Sequence, residues 1–126
     1  MSVEAYFVLI KERLVTEPNV AGFQIMRART TLMDGYLRAR VQLINQSRLE
    51  FSEYIQLSST GQIQVVTYSY HWANERNQLI RRWDNTPHFP ELPNFPHHIH
   101  DCDEHVVIAG EAVSIFVVLD EVGRHL

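Results

Sequence analysis

Val3, Phe7, Ile10 and Leu14 recur at i, i+4, i+7 and i+11, which lines them along one face of a helix over about residues 2–16. Pro18 and Gly22 interrupt that pattern. From Phe23 to Asp84 the apolar period becomes two, the signature of strands with one buried face. "FQIMRARTTLM" and "YLRARVQLI" flank Asp34-Gly35, a two-residue hairpin signal. "LEFSEYIQL" and "QIQVVTYSYHW" follow, separated by Ser58–Gly61, and "QLIRRWD" comes after a polar turn. Pro87, Pro90, Pro93 and Pro96 cannot donate to a sheet ladder, so residues 85–105 are expected to form an irregular arm rich in proline and histidine. Ala112, Ile115, Phe116, Leu119 and Val122 make an apolar stripe for a closing helix over about 110–124, although its valines would also suit a strand. The expected class is α+β. A five- to six-stranded antiparallel meander carries the N-terminal and C-terminal helices on one face and leaves a polar, Arg/His-rich face opposite.

Pleat parity decides which side chains share that face. With Asp34-Gly35 as the turn, Met33 pairs with Tyr36, Thr31 with Arg38, Arg29 with Arg40 and Arg27 with Gln42, while Met26, Ala28, Leu32, Leu37, Ala39, Val41 and Leu43 lie opposite. Two registers are open for the next strand. A two-residue turn at Gln46-Ser47 sets Glu53 against Arg40 but turns Phe51 and Ile55 outward. A three-residue turn at Asn45–Ser47 buries Leu49, Phe51 and Ile55, turns Glu53 inward and sets Ser52 beside Arg40, and the hydrophobic criterion favours it. Beyond it, Val66, Tyr68, Tyr70 and Trp72 take the core side, with Trp72 expected opposite Leu79. Arg27, Arg29, Arg38, Arg40, His71, Arg82 and Asp84 collect on the polar side, the arginines without partners in the sheet. Arginines opposed across a ladder repel each other, which favours an anionic ligand. The plainer alternative is a solvated sheet face balanced by acids such as Glu50.

Composition sharpens this picture in a few places. The 126 residues suit one domain spanning 1–126. Lys11 is the only lysine among eleven basic residues, and the planar guanidinium is the better phosphate ligand. The net charge of −4 does not by itself announce a nucleic-acid partner. A lone Cys102, Glu4 ahead of the first apolar run and the lack of any membrane-length apolar run fit a cytoplasmic protein with no membrane partner.

The chemistry converges on histidine. His71 ends an aromatic strand, and an imidazole titrating near neutrality suits either proton transfer or a purely structural role. RNA cleavage by the 2′-hydroxyl needs a base, an acid and a cation over the phosphate. His71, Arg82 and one of His88, His97, His98 or His100 would supply these without a metal or other cofactor. Arg27, Arg29, Arg38, Arg40 and Asp84 would bind the substrate. The run "FPHHIHDCDEH" also offers a metal alternative, in which His98, His100, Cys102 and His105 hold zinc or another transition ion, although the spacing matches no standard finger or protease signature. A third alternative is a non-catalytic module whose arginine face docks an acidic protein or a nucleic-acid backbone.

The stretch Tyr68–His100 resembles the TumE family, prokaryotic toxins of type II toxin–antitoxin pairs. The resemblance rests on Tyr70-His71-Trp72, Arg82-Trp83-Asp84-Asn85, Pro87-His88 and Phe95-Pro96-His97-His98-Ile99-His100. "DGYLRARVQL" and "LEFSEYI" upstream are also similar to the family pattern. The chain departs from it at Ile99, where members often carry a basic residue, and over "DCDEHVVIAG". The resemblance implies a toxin held by a cognate antitoxin with a helix-turn-helix DNA-binding domain. A translation-blocking endoribonuclease is the activity expected from it, and homodimer formation is left open.

Overall fold

The computed structural model describes residues 1–126. Helix α1 (Val3–Thr16) opens where the Ser2 hydroxyl accepts the Ala5 N–H at 3.0 Å. Seven strands follow: β1 (Val20–Thr30), β2 (Asp34–Leu43), β3 (Arg48–Leu57), β4 (Ile63–Ala73), β5 (Leu79–Asp84), β6 (His98–Asp101) and β7 (Val107–Ala109). Helix α2 (Ile115–Arg124) closes the chain. The strands form one antiparallel sheet in sequential order, a meander with both helices on one face. Val3, Tyr6, Phe7, Ile10 and Leu14 of α1, with Ile115, Val118, Leu119 and Val122 of α2, bury against Leu37, Val41, Leu49, Phe51, Tyr70 and Trp83. The expected α+β class holds, with seven strands in place of five or six.

The two additional strands come from the arm. Residues 85–97 are irregular, as four prolines require, but His98–Asp101 pairs with β5 and Val107–Ala109 pairs with β6. The arm histidines His98 and His100 therefore belong to the sheet.

Three registers differ from those read off the sequence, and their faces survive for a simple reason. The first hairpin turns at Thr31–Met33 rather than Asp34-Gly35, so that Thr30 pairs with Gly35, Arg29 with Tyr36 and Arg27 with Arg38. Thr31 Oγ1 accepts the Met33 and Asp34 N–H groups at 3.2 and 3.0 Å, which holds the turn without a glycine. Between β2 and β3, Arg38 pairs with Ser52 and Arg40 with Glu50, in place of the expected pairing of Arg40 with Ser52. Both slips move pairing by an even number of positions, and an even slip leaves every side chain on its original face. Between β4 and β5, Ala73 rather than Trp72 lies opposite Leu79, and an irregularity after it brings His71 opposite Arg82. Leu32, expected on the core face, is a turn residue and 89% exposed, and two bulges account for Met26 and Val66. One between Ile25 and Arg27 leaves Met26 exposed and turns Phe23 and Ile25 toward the core side, opposite Val41 and Ala39. The other, after Tyr54, makes Val66 the extra residue of β4 at 42% exposure, and Val65 takes the pairing with Ile55. Glu53 points inward as expected.

Candidate active site

The polar face is organised as two rows running across the strands. One row reads Gln24, Arg40, Glu50, His71, Arg82 and His100, each the register partner of the next. The neighbouring row reads Arg27, Arg38, Ser52, Ser69, Asp84 and His98. Ser52 and Ser69 are short, so the middle of the second row sinks between longer neighbours. The result is a groove of about 310 Å³ lined by Arg38, Glu50, Ser52, Ser69, His71 and Arg82. A second depression of about 270 Å³, lined by Arg40, Arg48, Glu50, His71, Ala73 and Asn77, adjoins it on the far side of His71.

The arginines are not all without partners. Glu50 sits between Arg38 and Arg40, hydrogen-bonded to Arg38 and 3.9 Å from Arg40 Nε. Its hydrogen bond to Arg38 holds the Glu50 carboxyl below the usual carboxylate range. Both arginines remain about half exposed, and an exposed pair of this kind is worth roughly 0–1 kcal/mol. A phosphate can therefore compete for them. Arg27 lies over the Tyr36 ring at 5.9 Å, and Arg29 lines a separate depression with Glu4 and Lys11 of α1.

His71 is half-buried in the groove wall. Burial, and after it the Arg82 guanidinium, push its imidazole below the ordinary value, while Glu104 and Glu50 act in the opposite sense. A histidine so placed is neutral at neutral pH and able to accept a proton. Arg82 is held on three sides. Its Nε donates to Asp84 Oδ2 at 3.0 Å, one terminal nitrogen meets Glu104 Oε1 at 3.1 Å, and the other lies 3.1 Å from His100 Nε2.

The arm histidines separate. His98 and His100 are buried beside Asp84, with His98 Nε2 2.8 Å from Asp84 Oδ1. The Phe89 ring packs edge-on against both imidazoles, at 5.2 and 6.2 Å between centroids. His88, the residue before Phe89, is exposed. His97 lies on the helix side, stacked on Tyr68 with its Nδ1 2.8 Å from the Tyr68 hydroxyl. Cys102 lines a depression with Trp72, Arg81 and Trp83, also on the helix side, and His105 sits in the exposed turn between β6 and β7. The four residues read from the sequence as a metal set are thus divided between places, and Asp84 joins His98 and His100 instead.

The sequence profile of the TumE family, described as toxin TumE, matches residues 8–126. The chain belongs to the TumE toxin family. It is therefore a toxin of the toxin–antitoxin kind, for which an antitoxin partner is implied. No curated protein and no solved structure gives a significant match. The residues that carry the TumE resemblance fall into two sets in the fold. His71, Arg82, Asp84, His98 and His100 meet on the polar face, whereas Tyr70, Trp72 and Trp83 fill the core. Asn85 is structural: its side chain accepts the Tyr68 N–H at 3.0 Å and donates to the Val66 carbonyl at 2.9 Å. Arg48 and Asn77 border the two depressions and Glu104 holds Arg82, and none of the three is a candidate named from the sequence. Arg48 and Ser52 alternate with Leu49 and Phe51, so the two-residue period does mark them for the polar face.

Proposed function

We propose that this toxin is an endoribonuclease whose catalytic base is His71. The carrying observation is the neutral, groove-lining imidazole of His71 set directly opposite a braced guanidinium, Arg82, in a depression walled by Arg38. The base abstracts the 2′-hydroxyl proton of a ribose, and the 2′-oxygen attacks the adjacent phosphorus. The bond to the 5′-oxygen breaks, and that oxygen takes a proton as it leaves. The products are a 2′,3′-cyclic phosphate and a 5′-hydroxyl end. Arg82 and Arg38 neutralise the non-bridging oxygens as charge builds, and Arg27 and Arg40 extend contact along the backbone. A base, an acid and fixed cations suffice for this step.

The proton donor is assigned to His88. His97 faces the helix side, and both ring nitrogens of His98 and of His100 are already engaged. His88 is exposed beside Phe89, whose ring covers the His98–His100 pair. The proposal includes action in the cytoplasm and inhibition by an antitoxin carrying a helix-turn-helix domain. No helix is long and apolar enough to cross a membrane.

The test is incubation of the purified protein with end-labelled RNA. Fragments ending in 2′,3′-cyclic phosphate are expected, with cleavage blocked where a 2′-deoxyribose replaces the attacking ribose. Intact RNA in the presence of the parent protein, or cleavage at deoxyribose positions, would overturn it. The Glu50 carboxylate seated between Arg38 and Arg40 favours a second reading, in which the groove takes an acidic protein segment. Saturable, salt-sensitive binding of an acidic peptide without any RNA product would support that reading instead.

A further inference from the structure

We infer that Asp84, His98 and His100 form a binding site for a divalent transition-metal ion such as zinc. All three are buried, at 4%, 2% and 5% exposure, and each presents one donor atom within 4.8 Å of the others. Asp84 and His98 are register partners on β5 and β6, and His100 follows two positions along the same face. The donors therefore stand on two hydrogen-bonded strands rather than on the loop.

Hydrogen-bond bookkeeping fixes both imidazoles. His98 Nδ1 lies 2.9 Å from the Pro96 carbonyl, and His100 Nδ1 lies 2.9 Å from the Glu104 carbonyl. A carbonyl can only accept, so Nδ1 carries the hydrogen in both rings and Nε2 of each neutral ring is a lone pair. Metal-ligating histidines are held in this way, with the far nitrogen donating to a carbonyl and the near one free. Both Nε2 atoms face Asp84, at 2.8 Å to Oδ1 from His98 and 3.7 Å to Oδ2 from His100, and that of His100 also lies 3.1 Å from an Arg82 nitrogen, the only possible donor of the pair. A lone pair against a carboxylate oxygen repels it. A hydrogen or an ion must lie between them: Arg82 supplies an N–H to His100, and at His98 either a shared proton or a metal ion meets the requirement.

Arg82 marks the spot. Its guanidinium lies 3.1 Å from His100 Nε2 and 3.0 Å from Asp84 Oδ2, so a cation already stands where the ion would share charge. A bound ion would displace the Arg82 nitrogen from His100, and Glu104, at 3.1 Å from the other terminal nitrogen, would keep the guanidinium in place. Two imidazoles and a carboxylate are donors suited to zinc and its first-row neighbours, and three protein ligands leave a tetrahedral ion one open position. Phe89 covers the two rings and limits water there.

The inference goes beyond the proposed function, and its test uses no RNA. Untagged full-length protein, stripped by chelator and titrated with zinc chloride alone, is expected to bind one ion per chain in calorimetry. Nitrogen NMR of the parent should show zinc shifting Nε2 of two among the seven histidines while their Nδ1 atoms stay protonated. H98Q and D84N should each weaken uptake by more than the roughly 10–100-fold that follows loss of an outer hydrogen bond to a ligand. R82Q should tighten it, and the C102S/H105Q double variant should bind as the parent does. Absence of saturable uptake by the folded parent, no Nε2 shift at two histidines, or loss of uptake in C102S/H105Q would overturn the site. The NMR measurement needs no variant, so it decides the question whether or not H98Q and D84N fold.

Discussion

His71 on β4 and Arg82 on β5 are register partners, facing one another from adjacent strands on the polar face. The juxtaposition lowers the proton affinity of the imidazole, second to the effect of its burial. His71→Ala should therefore cut RNA cleavage by about 10²–10⁴, the range for a lost proton-transfer group. Because His71 is half-buried on the polar face, the change in folding stability should stay near 0.5 kcal/mol or less, by analogy with surface substitutions. The pH profile carries an independent check. A base works in its neutral form, so a lowered value keeps kcat/KM on its plateau below the pH at which an ordinary histidine would protonate. Replacing Arg82 by Gln should move the acidic limb of the profile toward higher pH as well as lowering the rate. An unshifted limb would mean that Arg82 does not act on His71.

Glu50 makes the opposite kind of contact, holding Arg38 and standing near Arg40 on an exposed face. Arg38→Ala should lower the magnitude of the salt slope of RNA binding by roughly 0.7, the share of one phosphate contact on a single strand. Glu50→Gln should strengthen RNA binding, because Arg38 and Arg40 no longer divide their charge with a carboxylate. Both variants should melt within about 1 kcal/mol of the parent in stability. Filter binding across a salt series separates the outcomes. A slope unchanged in Arg38→Ala would remove Arg38 from the substrate path.

The polar face is legible in the sequence because parity is a robust quantity. Arg27, Arg38, Arg40, His71 and Arg82 share it even though the hairpin at residues 31–33 and the β2–β3 pairing each slip by an even number of positions. Bulges are not legible, since one extra residue leaves no compositional mark, and Met26 and Val66 leave their expected face for that reason. Strands β6 and β7 are hidden behind four prolines, which rule out ladder positions only for themselves and not for His98–Asp101 beyond them. The meeting of Asp84 with His98 and His100 depends on that β5–β6 pairing, so spacing along the chain points to Cys102 and His105 instead.

Gly35 shows how a turn signal can belong to packing. It lies within β2, where an added Cβ would stand 2.7 Å from Val3 Cγ1 and 2.9 Å from Phe7 Cε2. Val3 and Phe7 are buried in the core, so neither can swing away into solvent. Gly35→Ala should push α1 off the sheet and cost about 1–3 kcal/mol, the usual range for overpacking. Denaturant titration measures this directly. Val3→Ala combined with Gly35→Ala should recover part of the loss if the clash is its cause, whereas strictly additive losses would show that it is not.

Glu53 has the most demanding environment in the fold. It is fully buried on β3 and accepts hydrogen bonds from the Tyr6 hydroxyl at 2.7 Å, the Tyr70 hydroxyl at 2.6 Å and the Ile115 N–H at 2.9 Å. One carboxylate thereby joins α1, β4 and the first turn of α2. Burial nonetheless outweighs those bonds and raises its proton affinity above the ordinary value of 4.5. A raised carboxyl is protonated more readily in the folded than in the unfolded chain. Its stabilising contribution is complete below the unfolded value and declines as pH rises through the folded one. Glu53→Gln keeps the shape, its amide oxygen in the place of Oε2 can still accept from Tyr70 and Ile115 while its NH2 donates to the Tyr6 oxygen, and it titrates nothing. Relative to the parent it should gain stability with rising pH above 4.5, at no more than about 1.4 kcal/mol per pH unit. Glu53→Ala strands two hydroxyls and an amide and should cost about 3–5 kcal/mol below the ordinary carboxyl value, a cost that shrinks at higher pH as the parent's own contribution declines. Unfolding free energies of the three proteins across acid to neutral pH decide the matter: parallel curves for parent and Glu53→Gln would mean that the three hydrogen bonds fully offset the effect of burial, and a relative loss of stability in Glu53→Gln with rising pH would mean that they outweigh it.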